Sequence, residues 1–227
     1  RINVERGTLA LPAELCFEEG SFIEPVACVV RGQRIARLQP GQTVGVIGSG
    51  TAGLLHVQLA RANGAGRVIA SDIQEWRLRA ALALGAGAAV QAANLPEALY
   101  AANDGRLADV VVVCTGAAPA IRQAVRSVDR GGTVVFFAPA PEGVEVPLPL
   151  FEFWRDEITV ATSYAAGPED IAEAIELLRT RRVRVNEMIT HRLTLAEAAL
   201  GFELVASGRE SIKVIIDPAR QNGPGRG

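Results

Sequence analysis

The sequence predicts an α/β fold with a doubly wound parallel sheet, and three observations carry that expectation. Short apolar runs without polar alternation recur along the chain: Val44-Gly45-Val46-Ile47, Arg67 to Ser71, Asp109 to Cys114 and Thr133 to Ala138. Such strands are buried on both faces, which is the situation of parallel strands held between two helix layers. Helix-length stretches stand between them and stop at glycine, as at Asn63-Gly64 and at Gly85. The 227 residues are 49% hydrophobic and 21% charged, which gives enough apolar surface for one large core and no bias toward disorder.

In chain order, residues 1–40 form an irregular lead-in punctuated by Pro12, Pro25 and Pro40, with one helix from Pro25 to about Arg37. Pro25 suits the first helical position, and Glu24 sets a negative charge at the positive end of the helix dipole. From Gly41 the rhythm is regular. A strand at Val44–Ile47 leads through glycines into a helix containing Leu54 to Ala60, and Arg67 to Ser71 is the second strand. Glu75 to Leu84 is a helix closed by Gly85, and Ala88 to Val90 a third strand. The strand Asp109–Cys114, a helix Ala118–Val128 and the strand Thr133–Ala138 after Gly131-Gly132 complete this series. Pro139, Pro141, Pro147 and Pro149 then mark a loop or edge segment. Ile158 to Thr162 resumes as strand, and Pro168 opens a helix with Glu169 and Asp170 first and arginines last, as the dipole favours. Met188–Thr190, Leu195–Ser207 and Ile212–Ile216 read as strand, helix and strand, and Gln221 to Gly227 as a disordered tail.

Composition excludes several classes. A net charge of -2 provides no broad basic field, which argues against nucleic acid as a partner. Cys16, Cys28 and Cys114 form no CxxC pair, so neither a disulfide framework nor a zinc finger is encoded, and a cytoplasmic location fits. Every apolar stretch is broken well before the roughly 18 residues of a membrane helix. The start, Arg1 to Arg6, has neither an initiator Met nor a signal-peptide run and reads as a cut inside a longer protein.

One motif carries chemistry. Gly48-Ser49-Gly50-Thr51-Ala52-Gly53 fits G-x-G-x-x-G directly after a strand and at the start of a helix. In that setting the first glycine permits the tight turn, the second lets a pyrophosphate approach the backbone, and the third lets helix pack on strand. Unpaired amides at the helix start supply an anion site without a basic side chain. Asp72, at the end of the next strand, stands where the ribose-binding acid of a Rossmann unit is expected, with Ile73 beside it. Its carboxylate favours NAD, because a 2′-phosphate in the same place meets like charge. Arg77, one helical turn on, either softens that repulsion, lies against the adenine, or is a solvated surface arginine.

With these residues in hand, the chain resembles the zinc-dependent alcohol and polyol dehydrogenase branch of the medium-chain dehydrogenase/reductase superfamily. The resemblance runs from Phe17 to Asp217. It rests on Glu24-Pro25-Val26, Leu38-Gln39-Pro40-Gly41 before the glycine motif, Cys114-Thr115-Gly116, Gly131-Gly132-Thr133, Ile189-Thr190-His191-Arg192-Leu193 and Ile212-Lys213-Val214. It implies residues 1–24 as the remnant of a catalytic GroES-like domain with its linker, and 25–166 as an NAD-binding Rossmann domain. It further implies 167–217 as a segment returning to the catalytic domain, and 218–227 as the tail. Relatives use zinc and form homodimers or homotetramers on alcohol or polyol substrates. The family's zinc-ligand set is absent from this sequence, and only Glu24 matches a position that approaches the metal. The chain by itself is therefore expected to bind NAD without turnover.

Several assignments stay open at this stage. Tyr164 and His56 are the catalytic candidates: the first borders the cofactor in polyol dehydrogenases or is a packing tyrosine, and the second is a substrate contact or a core histidine. Cys114, Thr115 and Gly116 end a strand beside the cofactor, with the Cys114 thiol read as packing. Phe137 and Ala138, at the end of the next strand, are expected to meet the nicotinamide through backbone, since ligands bind beyond the carboxyl ends of parallel strands. A non-catalytic NAD-binding module and an S-adenosylmethionine methyltransferase are the alternatives. A short-chain dehydrogenase is excluded, because Asp104 and Pro168 follow Tyr100 and Tyr164 where a lysine is required.

Overall fold

The computed structural model describes residues 8–208 and 210–220, so the expectations for Arg1–Arg6 and for Gln221–Gly227 lie outside the described residues. Two compact units are present, residues 24–174 and residues 1–23 with 175–227.

The larger unit is a six-stranded, wholly parallel sheet. Its strands are β1 (Thr43–Ile47), β2 (Arg67–Asp72), β3 (Ala88–Gln91), β4 (Ala108–Val113), β5 (Val128–Phe136) and β6 (Thr159–Thr162), in the spatial order β3-β2-β1-β4-β5-β6. The direction of winding reverses between β1 and β4, and that is where open α/β sheets form their ligand crevice. In chain order the helices are the short α1 (Phe17–Gly20), which belongs to the smaller unit, then α2 (Ile23–Ala36), α3 (Thr51–Ala62), α4 (Glu75–Ala83), α5 (Leu95–Ala102), α6 (Ala118–Ala124), α7 (Leu150–Arg155) and α8 (Pro168–Arg179). On one face Leu95, Leu99, Ile121 and Ala124 pack against Ile69, Val111, Val113 and Val134. Val110 and Val112 alternate with these and are equally buried, so the opposite face is covered too, as continuous apolar strands require.

Three local expectations are corrected. Pro25 is the third residue of α2, not its first, because the helix opens at Ile23. The helix expected to reach Val128 ends at Ala124: Ser127 donates to the Gln123 carbonyl at 2.9 Å, and its own carbonyl accepts from Ala108 at 3.0 Å, which brings Val128 into the sheet. The strand expected at Thr133–Ala138 therefore spans Val128–Phe136 and carries the glycine pair inside it. Gly131 has φ +69°, and a Cβ on Gly132 would lie 2.7 Å from the Asp109 and Asp129 carbonyl oxygens, so only glycine continues the ladder there. In addition, α5 and α7 fall in stretches for which the sequence carries no assigned element, α7 directly after the proline-marked segment.

The smaller unit contains β7 (Ile189–Thr194) and β8 (Lys213–Asp217), paired in parallel and joined through α9 (Ala198–Ser207), which ends on Gly208 in the left-handed region. Glu19 is buried there; its carboxylate pairs with Arg181 and accepts from the Cys16 amide at 3.0 Å and from Asn186 at 3.2 Å.

Candidate dinucleotide site

The turn between β1 and α3 is built from main chain. The Gly48 amide donates to the Ser71 carbonyl at 2.8 Å, and Gly48 turns with φ +94°, its missing Cβ 3.2 Å from the Cys114 carbonyl. A Cβ on Gly53 would sit 1.8 Å from the Gly48 carbonyl oxygen, an impossible contact, so the third glycine is what lets α3 close on the turn. Gly50 differs: nothing lies nearer to its missing Cβ than the Arg77 guanidinium at 3.9 Å. Gly50 is also the N-cap of α3, so no N-cap side chain folds over the first turn of that helix. The motif thus presents open backbone with positive dipole character at the winding reversal.

Asp72 closes one side. It is buried at 6% exposure, accepts from the Ser49 amide on Oδ2 at 2.8 Å and from the Gln74 amide on Oδ1 at 2.9 Å. Two amides fix the carboxylate in place, and each oxygen keeps a second lone pair for another donor. The Arg77 guanidinium lies 3.8 Å from Oδ2, with its carbon 5.2 Å from the centre of the Trp76 ring. That leaves Arg77 between Asp72 and Gly50, not on a solvated outer face. Ile73 is 80% exposed beside the carboxylate.

The ends of β4 and β5 form the other side. The Cys114 amide donates to the Ile47 carbonyl at 2.8 Å, and both Phe137 and Ala138 donate to the Val113 carbonyl at 3.0 Å. Burial pushes the Cys114 thiol pKa well up, so the thiolate is scarce. Thr115 Oγ1 accepts from the Ala117 amide at 3.3 Å. A Cβ on Gly116 would lie 2.2 Å from the Pro139 carbonyl, so that glycine answers to a backbone crossing.

The remaining candidates separate. His56 is completely buried and its pKa is lowered to about 3 by desolvation, which removes it from direct contact with a substrate. Tyr164 is 92% exposed, so the packing alternative is corrected: its ring is not part of a core. Glu24 is exposed at the start of α2 and accepts from the Cys28 thiol at 3.1 Å; burial and this carboxylate push the Cys28 pKa up to about 12. Among the described residues no three His, Cys, Asp or Glu side chains are gathered for a metal ion, so these residues by themselves do not make the donor set that zinc requires. Sequence reasoning missed Gly32 and Gln33 of α2, which pack on His56 and have no motif to mark them.

A family profile described as zinc-binding dehydrogenase matches residues 52–180, more than half of the chain. The probable D-xylulose reductase A of Aspergillus terreus is 35% identical over 212 residues, covering 91% of this chain and 59% of that protein. The sorbitol dehydrogenase of Gallus gallus is 32% identical over 218 residues, with 93% and 60% covered. The chain therefore spans about 60% of the length of these relatives. Among solved structures, one from Sinorhizobium meliloti 1021, described as a zinc-binding dehydrogenase bound to NADP, superposes with TM-score 0.83 at 32% identity, covering 92% of this chain and 62% of that one. The alcohol dehydrogenase TADH from Thermus sp. ATN1 gives TM-score 0.84 at 28% identity, with 94% and 62% covered. With relatives and solved structures matched over more than nine-tenths of this chain, the methyltransferase alternative is set aside: the chain belongs to the zinc-binding dehydrogenases, in the alcohol and polyol branch of the medium-chain dehydrogenase/reductase superfamily.

Proposed function

We propose that this chain supplies the coenzyme-binding part of a nicotinamide-dependent alcohol or polyol dehydrogenase, with NAD as its preferred coenzyme. The observation that carries the reading is the pairing of open backbone at Gly50 with a buried, amide-fixed carboxylate at Asp72. The main-chain amides at the start of α3 receive the pyrophosphate, Asp72, held by the Ser49 amide, accepts from the ribose hydroxyls, and Ile73 with Thr115 and Gly116 borders the adenosine. Phe137 and Ala138 border the nicotinamide, whose contribution when bound is to accept or return a hydride. What the chain itself does is orient: it holds the ring at the carboxyl ends of β4 and β5 and keeps the diphosphate off solvent.

In the same proposal, residues 25–166 are the Rossmann domain, and residues 1–24 and 167–217 belong with a catalytic domain that supplies the substrate side and the metal. The substrate is a small alcohol or polyol, as the names of the xylulose reductase and sorbitol dehydrogenase relatives suggest, and the chain alone binds coenzyme without turnover. Tyr164 lies on the exposed segment after β6, where it is available to a coenzyme or substrate. Three free cysteines support a cytoplasmic location, and among the described residues no helix is long and apolar enough to cross a membrane.

Calorimetric titration with NAD and NADP tests this. The chain binds NAD more tightly than NADP, and Asp72→Ala weakens NAD roughly ten- to a hundredfold, the loss of about 1.5–3 kcal/mol for hydrogen bonds to a charged group, while narrowing the gap between the coenzymes. Unchanged affinities in the variant would overturn the role of Asp72, and no binding of either coenzyme would overturn the proposal.

A further inference from the structure

We infer that His56 is a positioning residue for the nicotinamide end of the coenzyme, acting through the Phe137 ring. The inference rests on the dinucleotide reading and concerns a residue that reading leaves unused. The His56 and Phe137 rings meet edge to face, with centroids 4.6 Å apart and planes at 88°. Gly32 of α2 faces both rings: a Cβ there would lie 3.1 Å from His56 Cε1 and 3.1 Å from Phe137 Cδ2. The absence of a side chain at position 32 is thus what admits this pair.

His56 is itself anchored. Gln33 Nε2 donates to the His56 carbonyl at 2.9 Å and stands 3.4 Å from Nδ1, while Gln33 Oε1 accepts from Asn63 at 3.1 Å. His56 Nε2 is buried without a hydrogen-bond partner among the described residues. A core site of this size would be filled at lower cost by a leucine, since a buried unsatisfied nitrogen costs about 1–3 kcal/mol. What the imidazole offers instead is a rigid plane whose orientation sets the Phe137 ring, and with it the backbone of Phe137 and Ala138, which both hang from the Val113 carbonyl. The two residues named for the nicotinamide are therefore located by a side chain that never meets the coenzyme.

The test compares NADH with ADP-ribose, which keeps the diphosphate and adenosine contacts and lacks the nicotinamide. With the whole chain, His56→Ala weakens NADH fivefold or more and shifts the emission of bound NADH toward that of free NADH, while ADP-ribose changes less than twofold. His56→Phe keeps a ring edge on Phe137 and the carbonyl that Gln33 holds, and it restores NADH to within twofold of the unaltered chain. Parallel changes for the two ligands, or no change for either in folded His56→Ala, would overturn the inference and leave the dinucleotide site standing. If His56→Ala fails to fold, Gly32→Ala carries the same comparison: the split supports the inference and its absence refutes it. Failure of the unaltered chain to bind ADP-ribose would overturn the dinucleotide reading and this inference with it.

Discussion

The imidazole of His56 is completely buried, so protonating it in the folded chain is costly, and its pKa falls from 6.5 to about 3. The unfolded chain keeps the ordinary value and binds the proton first as pH drops. Stability from this group is complete above about pH 6.5 and is lost as pH falls toward 3, at about 1.4 kcal/mol per pH unit. At pH 5 the loss is about 2 kcal/mol. Urea unfolding at pH 8 and pH 5 is expected to show a larger drop for the unaltered chain than for His56→Phe, which has nothing to titrate; equal drops would contradict the assignment. The glycine motif and Asp72 were legible in the sequence because each answers to a local constraint with fixed spacing. The surroundings of His56 were not, because Gly32 and Phe137 approach it from distant stretches of chain and no periodicity marks a meeting of three elements.

At the scale of elements, legibility follows the strength of the local signal. β1, β2 and β4 are continuous apolar runs between glycines and were found nearly to the residue. β5 was misread because Gly131-Gly132 looks like a turn, whereas the close approach of the Asp109 and Asp129 carbonyls makes it an irregularity inside a strand. α5 was missed because its buried face amounts to Leu95 and Leu99 over two turns. The start of α8 was read correctly from its acids, but the structure gives one of them a larger task. Asp170, 2% exposed, reaches back to the Gly167 amide at 2.8 Å as the third residue of the helix, and it accepts from Arg34 of α2 at 2.6 Å. Asp170→Ala removes a cap and strands the guanidinium contact, with an expected loss of about 2–4 kcal/mol, moderated by the half-exposure of Arg34. Asp170→Asn, which still accepts from the amide, is expected to recover part of it. Thermal melting of the two variants checks the order, and equal stability of the alanine variant and the unaltered chain would refute the role.

At the scale of the whole molecule, the sheet ends on β6, an edge strand whose outer row of amides and carbonyls has no strand neighbour among the described residues. Natural edges are blunted by charge, proline or cover, and this one carries none of these over Thr159-Val160-Ala161-Thr162. Beside it in sequence, α7 exposes Leu150 at 70%, Phe151 at 65% and Trp154 at 77%, and Val160 of the strand is 40% exposed. Leu200, Phe202 and Val205 on α9 are exposed as well, but the group on α7 is the one beside an open strand edge, and on that ground we propose it as an association surface. A second copy of the chain fits best, because an edge strand pairing with itself across a two-fold axis satisfies both rows of backbone groups at once and makes the patch self-complementary. Homodimers, and homotetramers built from them, are accordingly proposed. Light scattering on the purified chain is expected to give twice the 23.9 kDa of one chain, or four times. A double variant with Trp154→Glu and Val160→Lys places charge on the helix and on the edge and is expected to return the chain to one copy with its NAD affinity intact. A monomer at micromolar concentration in the unaltered chain, or a dimer that survives both charges, would sink the assignment of this surface.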